Sequence, residues 1–186
     1  MVQIENKLLQ SATYLIDNYL IDCGDGDAIL QLVDERCIEI YGIFLTHCQL
    51  DHIYGLPKVL KRFPGAKIYC SGQTNKGLKD DALNLSYVMP EVSFSFGYDE
   101  SVVELSEGLH SIDDIKLEMI ICNGHFNDCQ SYIIGENLFT GDALLPFAKV
   151  FTKWPTSNKE LALESEFKLR QLAKKRNLII QPGHWQ

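Results

Sequence analysis

The chain has 186 residues, 46% of them hydrophobic, which suits a single domain over residues 1–186 with a sizeable core. The formal net charge is −8 and the pI is near 5.1. This disfavours nucleic acid as a partner, because phosphate binding needs clustered positive charge. No apolar stretch is long enough to span a membrane, so we expect no membrane partner either.

The cysteines favour a reducing compartment. The chain has six cysteines, which occur singly, and no Cys-x-x-Cys pair is present. A cysteine-based zinc or redox site therefore has little support. The first ten residues lack a basic segment followed by an apolar run, so no secretory signal is expected. We therefore predict a cytoplasmic protein with reduced thiols; its oligomeric state stays open.

The first half of the chain predicts short strands that then alternate with helices. Turn residues separate the first three strands as in an antiparallel meander, and apolar residues at helical spacing follow Gly26. The predicted elements are strands at Val2–Leu9, Ala12–Ile16 and Tyr19–Asp22, a helix at Asp27–Arg36, a buried strand at Ile40–Thr46, a helix at Ile53–Phe63 and a buried strand at Ala66–Cys70.

The second half is richer in strands and closes with a long helix. Its first segment, Gln73–Pro90, predicts only a short helix and a loop. The later predictions are strands at Val102–Leu105, Ile115–Cys122, Ser131–Ile134 and Leu138–Thr140, an amphipathic helix at Lys159–Arg176 with Leu161, Leu163, Phe167, Leu169 and Leu172 as its apolar residues, and a strand at Leu178–Gln181.

The segment from Thr46 to His52 carries the strongest chemical signal. His47, Asp51 and His52 follow a predicted buried strand and precede a predicted helix, and strand ends are where α/β folds build their sites. Three side chains that can bind metal on one turn converge at little entropic cost. Asp51 could alternatively cap the helix, but capping explains neither histidine.

This segment resembles the His-x-His-x-Asp-His signature of the metallo-β-lactamase superfamily, with Gln49 in place of the second histidine. Further motifs of that family follow in the expected order, although each alone would be a weak signal. They are Leu20–Gly24 with its strand-end aspartate Asp22, Gly124-His125 followed by Ser131-Tyr132, Thr140–Leu144 with Asp142, and Pro182-Gly183-His184.

The resemblance implies an α/β fold, a four-layer αββα sandwich, with a metal centre at one edge of the strands. One metal position would comprise His47, Gln49 and His125, and the other Asp51, His52 and His184. Asp142 would bridge both positions, and Asp22 would support them from behind. Imidazole and carboxylate ligands suit Zn²⁺, and also Fe or Mn.

The chemistry that the resemblance implies is hydrolysis of a small acyl compound, a thioester, ester or lactone, by a metal-bound hydroxide, as in the glyoxalase II-like branch. Asp51 and Asp142 are the predicted catalytic residues. The helical C-terminal domain of glyoxalase II is not expected here, which disfavours glutathione thioesters. The substrate-binding residues stay unknown, because Leu145–Phe151 is as consistent with loop packing as with lining a substrate mouth.

Gln49 leaves two alternatives open. An amide oxygen binds a borderline cation more weakly than imidazole does, so the first position is expected to be labile or empty. A mononuclear iron enzyme resembling the persulfide dioxygenases would need only His47, His125 and Asp142. A protein that lost turnover together with the histidine at position 49 would bind a metal or ligand without catalysis.

Overall fold

The structure is a computed structural model that describes residues 1–185. The contacts divide the chain into two compact units, the first formed by Met1–Glu104 with Trp185 and the second by Leu105–His184. Each unit contains one mixed β-sheet. The single domain predicted for the whole chain stays a prediction.

The sheet of the first unit follows the chain order. Its first three strands are antiparallel, as the turn residues predict, and each later strand is parallel to the one before it. Parallel neighbours require crossover connections, which the intervening helices supply. The strands are β1 (Val2–Glu5), β2 (Ala12–Ile16), β3 (Tyr19–Ile21), β4 (Gly42–Phe44), β5 (Lys67–Cys70) and β6 (Val102–Glu104).

The helices of the first unit agree with the predicted ones in position but are more numerous. They are α1 (Gly26–Glu35), α2 (Leu50–Ile53), α3 (Leu56–Arg62), α4 (Gly72–Leu78) and α5 (Asp81–Asn84), with single 3₁₀ turns at Ser86–Val88 and Asp99–Ser101. The helix α1 is capped by the Asp25 carboxylate, which accepts from the amides of Asp27 and Ala28.

The helix predicted at Ile53–Phe63 is present as α3 over Leu56–Arg62, but its predicted start is wrong, because the shorter α2 precedes it and the chain breaks at Gly55. Gly55 packs against the backbone of the turn after β3, and its amide donates to the Cys23 carbonyl at 2.9 Å. A Cβ at Gly55 would lie 2.7 Å from the Gly24 carbonyl oxygen. This backbone contact, absent from the helical periodicity, determines where α2 ends.

The sheet of the second unit has the order β11-β10-β9-β8-β7. Only the pair β10 and β11 is parallel; the other neighbours are antiparallel. The strands are β7 (Gly108–Ile112), β8 (Ile115–Ile121), β9 (Gln130–Ile134), β10 (Asn137–Gly141) and β11 (Ile179–Pro182). Sequence analysis missed β7, an edge strand whose Leu109 is 82% exposed and which therefore lacks a clear apolar face.

The long helix α6 (Lys159–Arg176) has the predicted bounds. Its N-cap is Asn158, whose side chain accepts from the amides of Glu160 and Leu161. The predicted apolar face is partly wrong. The buried residues are Ala162, Leu169 and Ala173, whereas Leu161, Leu163 and Phe167 are 44%, 58% and 66% exposed.

Among residues 1–185, no helix combines the length and the apolar composition that crossing a membrane requires.

Candidate metal centre

Asp22 lies directly after β3 in a left-handed backbone conformation, with φ of 59°. Its amide donates to the Phe44 carbonyl at 2.8 Å. This conformation is uncommon outside glycine, although aspartate and asparagine tolerate it better than most residues. The side chain is buried, and its carboxylate accepts hydrogen bonds from the Thr46 amide, the Thr46 hydroxyl and His52.

The segment that follows β4 places its predicted ligands in the interior. His47, Asp51 and His52 are fully buried, and Gln49 is 6% exposed. Gln49 is the N-cap of α2, without a side-chain capping bond, and Asp51 lies inside the first turn. The alternative that Asp51 is merely a capping residue is therefore wrong.

The hydrogen bonds of two histidines determine which ring nitrogen can bind a metal. His52 Nδ1 lies 2.8 Å from the Asp22 carboxylate, and His47 Nδ1 lies 3.0 Å from the Thr46 hydroxyl. A carboxylate only accepts, so His52 carries a hydrogen on Nδ1, and its neutral ring presents the lone pair of Nε2. Such a bond from the remote nitrogen is typical of histidines that bind metals.

A buried polar network supports this segment, and sequence analysis missed it. The Asn6 amide donates to the hydroxyls of Ser11 and Thr13 at 3.0 and 3.1 Å, and its oxygen accepts from the Asp25 amide at 2.9 Å. The Ser11 hydroxyl donates to the Asp51 carbonyl at 2.7 Å. The only sequence signal was the pair of short polar residues Asn6 and Ser11 between β1 and β2, which is equally typical of a turn, while Thr13 lies within β2.

In the second unit, the turn at Gly124-His125 is held by the segment before α6. His125 Nδ1 lies 2.8 Å from the Phe151 carbonyl oxygen, and the Ser157 hydroxyl donates to the His125 carbonyl at 2.7 Å. The Asn158 amide donates to the Gly124 carbonyl at 2.8 Å. Because a carbonyl only accepts, Nδ1 of His125 carries a hydrogen and Nε2 again faces away from this bond.

Asp142 and His184 meet because β10 and β11 are parallel and end together. The Gly183 amide donates to the Gly141 carbonyl at 2.8 Å. Asp142 Oδ2 lies 3.1 Å from His184 Nε2 and 3.4 Å from His125 Nε2. The second unit thus brings together one carboxylate and two imidazoles.

The donor set fits a metal ion on chemistry and on spacing. In the first unit His52 Nε2 lies 3.5 Å from Asp51 Oδ2, close to the two separations around Asp142 in the second. Two ligands at Zn²⁺ bond lengths of roughly 2.0–2.1 Å and a tetrahedral angle are about 3.4 Å apart. Each unit therefore supplies histidine and carboxylate atoms at the spacing that shared coordination requires.

Cysteine is not a reactive group near these residues. Burial, helped by the nearby Asp22 carboxylate, raises the pKa of Cys23 well above its usual value. Burial also raises the pKa of Cys122 to about 12 and that of Cys129 well above its usual value. Together with buried Cys48, these thiols are packing residues, as their apolar surroundings in the sequence indicate.

The remaining candidates lie outside this chemistry. His110 lies on β7 with Nε2 2.7 Å from the Ser106 carbonyl oxygen, which suits the structural role that its lack of any motif predicts. Phe147 and Phe151 are 39% and 47% exposed, which is consistent with Leu145–Phe151 as a substrate-facing segment. The Phe151 ring packs on Trp154 with centroids 5.2 Å apart, so loop packing accounts for part of that segment.

One family of known proteins accounts for all the motifs described above. The sequence model of the family described as the Metallo-beta-lactamase superfamily matches residues 6–184. The hydroxyacylglutathione hydrolase of Aliivibrio fischeri is 29% identical over 130 residues, covering 69% of this chain and 43% of the relative. The hydroxyacylglutathione hydrolase GloC of Haemophilus influenzae is 26% identical over 170 residues, covering 87% and 76%. The chain spans about half the length of several such relatives.

Solved structures show the fold. The BLEG-1 B3 metallo-beta-lactamase matches with a TM-score of 0.85 at 22% identity, covering all of this chain and 91% of its own. TTHA1623, crystallised in a di-iron-bound form, matches with a TM-score of 0.82 at 20% identity, covering 100% and 93%. The α/β fold class predicted from the sequence motifs is confirmed.

Proposed function

The chain belongs to the metallo-beta-lactamase superfamily, and from that membership we propose that it is a metal-dependent hydrolase of a small acyl compound. The observation that carries the proposal is the pairing of histidine Nε2 with carboxylate oxygen, at 3.1–3.5 Å, in both units. Hydroxyacylglutathione hydrolases among the relatives support thioesters, and with them esters and lactones, as the compounds to test first.

We propose two metal positions with the ligand set that the sequence motifs predict. His47, Gln49 and His125 would form the first metal position, and Asp51, His52 and His184 the second, with Asp142 between them. The match of one family model across residues 6–184 supports this arrangement, since it includes every one of these residues.

Zn²⁺ is the proposed metal, and it would lower the pKa of a bound water to about 7, which makes hydroxide available at neutral pH. The chain's own residues then orient the reaction. Asp51 or Asp142 would accept the one hydrogen bond that the attacking hydroxide can donate and so direct its lone pair toward the acyl carbon. Asp22 and the Phe151 carbonyl hold His52 and His125 in the tautomer whose Nε2 binds metal.

A panel of thioesters, esters and lactones, assayed with added Zn²⁺, Mn²⁺ or Fe²⁺, tests the proposed hydrolysis. We expect turnover of at least one class, and a loss of roughly 100-fold or more in kcat/KM in Asp142→Asn, because the amide removes a charge from the centre. His110→Ala is the matched control, since the His110 ring contacts the Ser106 carbonyl just before β7 and is not in the proposed ligand set. Metal binding without any turnover would instead favour a protein that has lost catalysis.

Iron is the second candidate metal, because TTHA1623 was crystallised in a di-iron-bound form. Two histidines and one carboxylate, here His47, His125 and Asp142, are also the ligand set of non-haem iron oxygenases. Metal analysis of the purified protein separates the two proposals. Iron together with oxygen consumption would favour the oxidative reaction, and zinc together with acyl hydrolysis would favour the first.

Gln49 leads to a prediction about stoichiometry. Since an amide oxygen is the weaker ligand, we expect one firmly held ion per chain and a second that is lost on dialysis. Gln49→His should raise the metal content toward two per chain and raise activity, whereas Gln49→Ala should leave the firmly held ion in place. Elemental analysis after dialysis provides the count, and a firm ratio of two metals to one wild-type chain would refute the prediction.

We also propose a cytoplasmic location. All six cysteines lie within the described residues and none forms a disulfide, which suits a reducing compartment.

A further inference from the structure

We propose that Thr46 is a positioning residue that holds His47 in the tautomer able to bind a metal. Through Thr46, the Asp22 carboxylate determines the tautomers of both histidines of the Thr46–His52 segment. The inference rests on the proposed function for its metal but on the geometry of the first unit for its mechanism. Thr46 is not itself a ligand. Its hydroxyl has one hydrogen and can donate only one hydrogen bond, and the direction of that bond determines the tautomer of His47.

The Asp22 carboxylate determines where that hydrogen lies. Thr46 Oγ1 is 2.8 Å from Asp22 Oδ2, the Thr46 amide is 2.7 Å from Oδ1, and His52 Nδ1 is 2.8 Å from Oδ2. An ionised carboxylate has no hydrogen to offer, so the Thr46 hydroxyl is the donor. The opposite orientation would place two bare oxygens 2.8 Å apart in a site where both residues are 1% exposed, and burying such an unmade bond is costly.

The direction of this bond then decides the state of His47. With its hydrogen committed to Asp22, Thr46 Oγ1 can only accept from His47 Nδ1, which lies 3.0 Å away. His47 therefore carries its hydrogen on Nδ1, and its Nε2 presents a lone pair. The relay runs from His47 through the Thr46 hydroxyl to Asp22, where it meets the direct bond from His52.

The side chain of Thr46 suits this role because it is β-branched. Branching at Cβ restricts χ1, so the hydroxyl is held toward Asp22 and His47 without a further partner. Serine would keep the hydroxyl but rotate more freely, and valine would keep the shape without the hydroxyl. These two substitutions separate the hydrogen bond from the packing.

One carboxylate thus determines the tautomers of His47 and His52, whose ring centroids are 4.3 Å apart. In the proposed centre these histidines belong to different metal positions. Loss of the Thr46 hydroxyl should therefore weaken the position that contains His47, while the position that contains His52 keeps its direct bond to Asp22. Asp22→Asn should weaken both positions, and asparagine tolerates the left-handed backbone at position 22.

The test uses the full chain in two measurements. Two-dimensional ¹H–¹⁵N spectra at pH 8, without added metal, report the His47 tautomer directly. We expect Nδ1–H in wild type and in Thr46→Ser, and a mixture of tautomers in Thr46→Val. A wild-type His47 with its hydrogen on Nε2, or an unchanged tautomer in Thr46→Val, overturns the proposal. Should Thr46→Val not fold, the wild-type and serine spectra still decide.

The second measurement is a zinc titration against a chromophoric chelator. We expect Thr46→Val to weaken the weaker of the two binding events by about 10- to 100-fold, the usual effect of removing a group that orients a ligand, and Thr46→Ser to restore it. Equal weakening in serine and valine would assign the effect to packing and overturn the proposal. A wild-type chain that binds no zinc would defeat the proposed function, while the tautomer result would still decide the role of Thr46.

Discussion

Asp22 has a backbone conformation that most side chains avoid, and its surroundings explain why it is kept. The left-handed φ of 59° accompanies a carboxylate that receives hydrogen bonds from Thr46 and His52 on the neighbouring segment. Local strain of this kind costs of order 1–3 kcal/mol and persists where the surrounding structure requires it. At the scale of the residue, the candidate site is therefore built around one strained aspartate as much as around its ligands.

Thiol reactivity tests the burial of individual residues near the site. Burial raises the pKa of Cys122 to about 12, so at pH 8 only about 10⁻⁴ of this thiol is ionised, and the thiolate is the reactive form. Cys37 is exposed, and the other five cysteines are buried. We expect iodoacetamide to add one group to the native chain at pH 8, as read by mass spectrometry, and none to Cys37→Ser. Rapid modification of Cys122 in the native chain would contradict this burial.

The helix and strand predictions failed where backbone contacts, which leave no periodic pattern in the sequence, determine the structure. Helix α6 was predicted with its bounds from apolar residues spaced among charges along one stretch of chain, although Leu161, Leu163 and Phe167 of that set are exposed. The break between α2 and α3 depends instead on a contact between Gly55 and the turn at Gly24. These two segments are distant in sequence. The edge strand β7 was missed for the complementary reason, since a strand with an exposed Leu109 has no clean alternation to detect.

The candidate site divides in the same way. Its candidate ligands could be proposed from the sequence because the histidine and aspartate motifs are ordered along the chain. Asn6 and Ser11 were not proposed, because short polar residues between strands are equally expected in ordinary turns. Thr13 was not, because threonine is common within strands such as β2. Their role depends on which groups the fold brings to them, such as the Asp51 carbonyl that accepts from Ser11.

The contact between the Gly124 turn and α6 leads to a prediction with a closely matched control. A Cβ at Gly124, where φ is +135°, would lie 2.1 Å from the Ala162 amide nitrogen, whereas Gly108 has φ of +133° and no atom within 4 Å of the same position. Both glycines pay the same backbone cost on substitution. We expect Gly124→Ala to lower the free energy of unfolding by about 2 kcal/mol or more beyond Gly108→Ala.

Denaturant titration of the two variants provides this comparison. Gly124→Ala should also weaken metal binding, because the displaced turn carries His125. Equal destabilisation of the two variants would show that α6 does not constrain the turn.

The central proposal for the chain is a metal centre with the ligand set that the family motifs imply. The first unit brings His47, Asp51 and His52 into the interior, and the second gathers His125, Asp142 and His184 at the ends of its strands. The stability of the chain should consequently depend on metal, since an ion that binds only the folded state stabilises it.

Zinc content in three single variants tests this claim most directly. His52→Ala removes a ligand from the first unit, His184→Ala removes one from the second, and His110→Ala removes a histidine outside the site. We predict about one firmly held zinc per chain in wild type and in His110→Ala, and its loss in both of the other variants. Wild-type zinc content in either His52→Ala or His184→Ala would contradict this ligand set.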